Sequence, residues 1–394
     1  LLHVVGHSLC PLLITFLTMS LDGEEAGPVF QDKEKALDFA NYFCSYGYLY
    51  HQKDMLQDRG RMDAYRNAIV RNPGCFEGKV VLDVGAGSGV LAIWAAKAGA
   101  KRVYAVEATS MAVHARRLAE QNGVGDVVEI LEGYMEQQTL PEKVDVIVSE
   151  WMGYFLLRES MFDSVLVARD RWLRPGGAMY PSHAQLFMAP LCSSLYHARV
   201  AELNEELNHW QEFELYMSEE NGLTVEGLRE SYSKEQLEYL LQSAQWCQIP
   251  ERECIGDRFC ILDLDTHTCT KEDITVVKSD FTTRISHPAA LLNAFGGWFD
   301  VQFCGSESDE TPNPVELTTA PSNSTHWAQQ VFFIHPPQEV EHGDVIKGSI
   351  VLTRQKVNHR LLWLEVKFTV MRITLHNTEL QPVAPERTLK YKID

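Results

Sequence analysis

Residues Lys79–Gly99 read KVVLDVGAGSGVLAIWAAKAG. Five residues of strand-forming, mostly apolar character end in glycine, and an apolar helical run follows. The next units repeat the pattern. RVYAVE (Arg102–Glu107) reads as a second strand, and TSMAVHARRLAEQNG (Thr109–Gly123) as a helix capped by Thr109 or Ser110 and stopped by Gly123. VVEIL and VDVIVSE are further strands, and a helix is expected near Met161–Leu173. Alternation of strand and helix predicts a parallel sheet covered on both faces. RPGGAMYPS (Arg174–Ser182), dense in Pro and Gly, reads as a turn closing this region.

Upstream, Lys33–Ala68 reads as helical, with Gly47 and Gly60 as weak points. Downstream of Pro181 the texture changes. QLFMAPL, FCILDLD, ITVVKSDFTTRI, GWFDVQF, VFFI, VIKGSIVLT and LLWLEVKFTV follow without regular helices. In the last, Leu364, Val366, Phe368 and Val370 alternate with polar residues, which predicts an antiparallel barrel or sandwich. The acidic helical stretch at about 194–245 interrupts it and is a candidate oligomerisation arm. The expected division is a leader over 1–29, a cofactor domain over 30–180 and a β domain over 181–394. The apolar start, LLHVVGHSLCPLLITFLTM, is expected to stand outside the working fold, and no other stretch is long and apolar enough to span a bilayer.

The chain has 394 residues, enough for two domains, and a formal net charge of −19. So acidic a surface disfavours nucleic acid and favours basic partners. Nine cysteines without a close pair suggest reduced thiols in the cytosol or nucleus and no zinc site.

Gly85, Gly87 and Gly89 would let the backbone approach a ligand. Glu107 ends the next strand, where a doubly wound sheet places the acid that meets ribose hydroxyls. Asp83, in an otherwise apolar strand, should organise the loop beyond. The spacing is neither Gly-x-Gly-x-x-Gly nor a Walker loop. S-adenosylmethionine fits: it has a ribose, an adenine and a charged methionine end without a diphosphate.

SEWMGYFLLRES (Ser149–Ser160) sets Glu150 and Glu159 at either end of an apolar loop. Two carboxylates so placed could grip a guanidinium, a planar fork of five donors that stays protonated. The bland reading is an internal salt bridge to Arg158. The loop resembles the paired-glutamate loop of protein arginine methyltransferases. NYFCSY (Asn41–Tyr46), DMLQDRGRMDAYRNAI (Asp54–Ile69), VLDVGAGSG, VYAVEAT and NSTHWAQQVFF (Asn323–Phe333) are similar to further stretches of that family. The resemblance runs from about residue 30 to 390. The wording FLLRESMFDSV, RDRWLRPGGAMYPSHA and FGGWFDVQF is nearest to a plant branch of the type I enzymes.

The resemblance implies roles. Gly85, Gly87, Gly89, Asp83, Ala108, Met135 and Glu136 would surround the cofactor, with Glu136 by the adenine and Glu107 on the ribose. Arg61 would pair with the cofactor's carboxylate, and Tyr42 and Tyr46 would close over it. Glu150 and Glu159 would bind the substrate arginine, beside Met55 and Trp327, and Glu150 would also border the cofactor. His326 would pair with Asp58 and take a proton onward. Gln52 stands where many relatives have His. The implied reaction is methyl transfer from S-adenosyl-L-methionine to arginine in histone or Gly/Arg-rich tails by a homodimer, giving mono- and asymmetric dimethylarginine. A cofactor-binding adaptor and a small-molecule methyltransferase remain as alternatives from the sequence.

Overall fold

The computed structural model describes residues 42–43, 45–374 and 377–394. The leader, the start of the helical segment at Lys33, Asn41 and the thiols Cys10 and Cys44 lie outside the described residues. Two helices lead in, α1 (Leu49–Gln57) and α2 (Arg59–Val70). The chain turns at Gly47 and breaks at Asp58, where an extended backbone (φ −68, ψ 98) separates the helices. Gly60, expected as a weak point, lies inside α2. The break falls two residues earlier because the Asp58 side chain caps α2, accepting from the Arg61 N–H at 3.1 Å.

The expected alternation follows: β1 (Val80–Val84), α3 (Val90–Lys97), β2 (Arg102–Glu107), α4 (Met111–Gln121), β3 (Val128–Glu132), β4 (Val144–Val148), α5 (Phe162–Trp172) and β5 (Leu173–Tyr180). The five strands are parallel in the order β3-β2-β1-β4-β5. Strands β1 and β4 are buried along their whole length, which explains their unbroken apolar character. The order reverses between β1 and β4, so the loops after these strands diverge and leave a crevice at their carboxyl ends. The Pro/Gly stretch expected as a turn is strand β5. Pro is admissible there because β5 is the sheet's edge. Gly177 sits at the register shift beside β4, where a Cβ would come within 2.8 Å of the Asp145 carbonyl oxygen.

The remaining strands are β6 (His183–Leu191), β7 (Gln245–Cys247), β8 (Phe259–Asp265), β9 (Val276–Arg284), β10 (Ala289–Ser306), β11 (Asp309–Thr318), β12 (Gln329–Glu341), β13 (Val345–Arg354), β14 (Leu362–Thr374), β15 (Asn377–Pro382) and β16 (Arg387–Ile393). They form two antiparallel sheets, β7-β12-β10-β6-β8 with β11 on β10, and β15-β14-β13-β9 with β16 on β14. Rings from both sheets meet between them: Phe259 stacks on Phe281 at 4.3 Å, and Phe295 meets Phe368 edge-on at 5.3 Å. Leu364, Val366, Phe368 and Val370 are buried, on the face that their alternation marks out.

Helices α6 (Ser194–Asn221) and α7 (Arg229–Leu237) leave the barrel between β6 and β7. Their base packs through Tyr196, Leu203, Leu240 and Leu241 on Leu191, Val331 and Phe333. Farther out, Leu215, Tyr216, Leu223 and Leu228 are more than half exposed. The two sheet systems are locked together at Asp163 of α5, which takes two bonds from Arg354 at 2.8 and 2.7 Å and one from Lys271 at 2.9 Å.

Candidate active site

The glycine loop closes the carboxyl end of β1. Gly85, Gly87 and Gly89 all take positive φ, at +73, +53 and +78°. A side chain at Gly87 would also crowd Gln52, whose Oε1 would lie 3.0 Å from the new Cβ. Gln52 is buried and donates to the Tyr46 carbonyl at 3.1 Å, tying α1 to the segment before it. Asp83 is fully buried and accepts the Ala92 N–H at 3.0 Å. Its other oxygen has no hydrogen-bond partner, and burial pushes its carboxyl up to about 7. Glu107 ends β2. One oxygen accepts the Gly87 N–H at 2.7 Å; the other accepts from the Thr109 N–H and hydroxyl at 2.8 and 2.6 Å.

Beside the loop lies a cavity floored by residues 84–88, with Glu107, Ala108, Met135 and Met161 on its walls and Tyr42, Tyr46, Met55 and Arg61 toward α1 and α2. Arg61 is the one cation among its described lining residues. A glycine cradle, a carboxylate at the tip of β2, apolar walls and a single cation suit an adenosine joined to an amino-acid end. They do not suit a diphosphate. Asp83, Gly89 and Glu136 are not on the cavity wall. Asp83 acts on the start of α3 from beneath, and exposed Glu136 accepts from the Ser164 hydroxyl at 2.6 Å.

A second cavity opens beside the first. It is lined by Tyr42, Tyr46, Met55, Glu150, Met152 and Glu159, all shared with the first, and by Tyr154, Arg158, His326, Trp327 and Arg360, among others. Both glutamates therefore stand where the two cavities meet. Glu150 follows β4, and Arg61 donates to it from Nε and Nη2 at 3.1 and 3.0 Å. Arg61 Nη1 donates to the Met55 carbonyl at 2.7 Å. Thus the partner of Arg61 in this structure is Glu150, on the cavity's inner wall.

Glu159 returns from the apolar loop. Its Oε2 accepts from the Tyr46 hydroxyl at 2.7 Å, and Arg158 Nη1 lies 3.3 Å from its Oε1. Burial raises its carboxyl above the usual range, against the opposing pull of Tyr46 and Arg158. Burial, followed by the charge of Glu159, lifts the Tyr42 and Tyr46 phenols well above theirs, so both stay protonated donors.

The loop between the glutamates turns on Gly153, where a Cβ would collide with the Arg158 carbonyl oxygen at 1.9 Å. Four of its non-glycine residues, Phe155, Leu156, Glu159 and Ser160, take positive φ. Such a backbone persists only when its surroundings hold it. The barrel supplies that hold. Trp327 Nε1 donates to the Met152 carbonyl at 2.8 Å, the Glu159 N–H donates to the Arg360 carbonyl at 2.8 Å, Arg360 Nη1 returns to the Glu159 carbonyl at 2.6 Å, and the Ser160 hydroxyl donates to the His359 carbonyl at 2.6 Å. Arg360 also lies over the Tyr42 ring at 4.0 Å.

His326 meets Asp58 twice, Nδ1 at 2.7 Å and its backbone N–H at 2.8 Å, both on Oδ2. Burial pushes the Asp58 carboxyl up. The His326 ring and N–H and the Arg61 N–H outweigh this and hold it below the usual carboxylate range. Asp58 itself does not line either cavity. Sequence reasoning missed Arg360, His51 and Met152 as cavity residues. Met152 lay within the quoted loop, but Arg360 and His51 belong to no motif.

Comparisons with known proteins give the family and the fold. A family profile described as the arginine methyltransferase oligomerization subdomain matches residues 184–372, and one described as ribosomal protein L11 methyltransferase (PrmA) matches residues 73–165. Protein arginine N-methyltransferase PRMT10 of Oryza sativa subsp. japonica is 51% identical over 344 residues, covering 87% of this chain and 90% of that protein. The Arabidopsis thaliana PRMT10 is 49% identical over 335 residues, covering 84% and 88%. Among solved structures, Arabidopsis thaliana protein arginine methyltransferase 10, described as having a uniquely open conformation, superposes with a TM-score of 0.85 at 44% identity over 90% of this chain and 100% of that one. A Trypanosoma brucei PRMT1 enzyme-prozyme heterotetrameric complex with AdoHcy matches with a TM-score of 0.72 at 29% identity, covering 89% of this chain and 100% of that chain.

Proposed function

The chain belongs to the protein arginine N-methyltransferase family, and from that premise we propose that it is a type I enzyme, giving mono- and asymmetric dimethylarginine in basic protein tails. Its activity is protein arginine N-methylation, and its methyl donor is S-adenosyl-L-methionine. When bound, the donor supplies an electrophilic sulfonium methyl group. Gly85, Gly87, Glu107, Ala108, Met135 and Arg61 are the residues that would hold it, and Tyr42 and Tyr46 would cover it.

The observation that carries the proposal is the place of Glu150 and Glu159, at the junction of the two cavities. Two carboxylates fix a guanidinium in one plane and concentrate its electron density on one terminal nitrogen. No strong base is needed beforehand, because that nitrogen becomes acidic only as it is alkylated. His326, held by Asp58 and lining the slot, is the group proposed to take the released proton onward. Met55 lines both cavities. Its slim, flexible side chain supports return of an already methylated nitrogen for a second methyl, whereas Phe there would crowd it.

The acidic surface, with its net charge of −19, favours histone or Gly/Arg-rich tails as substrates. We propose a cofactor domain over 30–180, a β domain over 181–394 and a homodimer formed by the arm at 194–245. The exposed Leu215, Tyr216, Leu223 and Leu228 of the arm and Leu49 and Tyr50 of α1 support docking of one subunit's arm on the other's cofactor domain. The described cysteines are free thiols, and no described helix is long and apolar enough to cross a membrane. We propose a place in the cytosol or nucleus, in keeping with the free described thiols.

Labelled S-adenosyl-L-methionine, histones and a Gly/Arg-rich protein test the activity. Acid hydrolysis followed by chromatography should yield monomethyl- and asymmetric dimethylarginine. Predominantly symmetric dimethylarginine would overturn the type I assignment. Light scattering of the intact chain at micromolar concentration should report a dimer.

A further inference from the structure

Both glutamates of the site are met by cations of the chain itself, and the two pairings differ in quality. Arg61 places three N–H groups, two on Glu150 and one on the Met55 carbonyl. Arg158 makes one long contact, Nη1 to Glu159 Oε1 at 3.3 Å, and its buried Nε has no hydrogen-bond partner. Its guanidinium lies over the Tyr154 ring at 5.7 Å from the centre, near the outer limit of cation–π attraction. The other Glu159 oxygen is engaged by the Tyr46 hydroxyl at 2.7 Å, so Oε1 is the oxygen more open to an incoming guanidinium. Arg158 stands on that oxygen and lines the slot.

We propose that Arg158 is a placeholder for the target arginine: it keeps Glu159 ionised and oriented until the substrate guanidinium displaces it from Oε1. The proposal rests on the reading of the second cavity as an arginine slot. Three features favour displacement. One N–H at 3.3 Å is a weak hold for a fork of five donors. The side chain is 23% exposed, so it has solvent to move toward. The backbone of Glu159 is pinned on both sides by Arg360, so Arg158 can leave without the carboxylate following it.

The electrostatics explain why a placeholder helps. Burial drives Glu159 toward its neutral form, and Glu150 adds to that drive; the Tyr46 hydroxyl, Arg158 and Arg360 oppose it. Tyr42 and Tyr154 also face it, as protonated phenols. Without Arg158, Tyr46 and the more distant charge of Arg360 alone would oppose burial, and the carboxylate would bind a proton more readily in place of the substrate.

The test is a comparison of the full-length wild type with Arg158→Met, and with Arg158→Lys as the charge-retaining control. The kcat and KM for an arginine peptide would be measured from about pH 4 to about pH 9, a window that starts at the ordinary carboxylate range. Calorimetric Kd values for the same peptide, with S-adenosylhomocysteine present, accompany them. In Arg158→Met the acid limb should move up by about one pH unit, a tenfold effect on protonation. Above the limb, KM and Kd should fall severalfold, because no internal cation competes. The wild-type and variant curves should therefore cross, while Arg158→Lys keeps the wild-type limb. A uniform loss of affinity at every pH, or an unmoved profile, overturns the proposal. Arg158→Gln serves as the second neutral variant if Arg158→Met fails to fold. Wild-type protein that methylates no arginine would instead overturn the reading of the slot, and the two failures are distinct.

Discussion

Two loops follow buried parallel strands at the same edge of the sheet, and they are built in opposite ways. The loop after β1 takes its three positive φ angles at glycines, where they cost little. The loop after β4 takes four at Phe155, Leu156, Glu159 and Ser160, where side chains make them costly. The first makes its ligand wall from backbone and is braced by its own sheet, through the Glu107–Gly87 bond. The second presents side chains and is braced from the barrel by Trp327, His359 and Arg360. A site made of backbone can be carried by one domain. A site that aims two carboxylates needs a second domain to hold the loop that carries them.

That contrast can be broken or sharpened. The largest effect is expected at Glu150→Gln, which should lower kcat on the order of a thousandfold, because an amide cannot provide the charge-assisted grip. Cofactor affinity should stay near that of the wild type; normal turnover in the folded variant would remove the glutamate loop from the chemistry.

Trp327→Phe removes the donor to the Met152 carbonyl and leaves that buried acceptor unpaired, a cost of about 1–3 kcal/mol. The expected result is a fall in kcat of about tenfold or more, consistent with that energy, with cofactor Kd unchanged. Equal losses in both would break the separation between the loops. Gly87→Ala is the converse: a Cβ at φ +53° and 3.0 Å from Gln52 should weaken cofactor binding about tenfold, for a strain of about 1–2 kcal/mol. Equilibrium dialysis with labelled cofactor reads this directly.

The smallest effect concerns Asp58. Its folded carboxyl titrates below the usual range, so it contributes stability above its unfolded pKa of about 4 and loses it as pH falls through the lower folded value. Asn caps helices as well as Asp does, so Asp58→Asn should keep α2. The stability gap between wild type and variant, from urea unfolding, should shrink as pH drops below about 4. A gap that stays constant there would mean that the charge on Asp58 does not stabilise the fold.

Much of the site was legible because its residues lie in short local patterns. Gly85, Gly87, Gly89 and Glu107 belong to one β-α-β unit, where strand, turn and helix periodicity fix each position within a few residues. Glu150 and Glu159 were visible as carboxylates that an apolar loop must justify. The edge strand β5 was misread because Pro and Gly signal turns locally, while sheet edges tolerate Pro and a register shift tolerates Gly177.

By itself, the sequence determined the parallel sheet, the antiparallel second half and the chemistry at the ends of β1, β2 and β4, since all of these depend on neighbours close along the chain. Only the tertiary structure decided the partners. Asp58 meets His326 across 268 positions, Arg61 meets Glu150 across 89, and Arg360 reaches Glu159 across 201. Hydrogen bonds of a few ångströms between residues so far apart depend on how α2 packs on the parallel sheet and how the barrel packs on both, and no local periodicity records that.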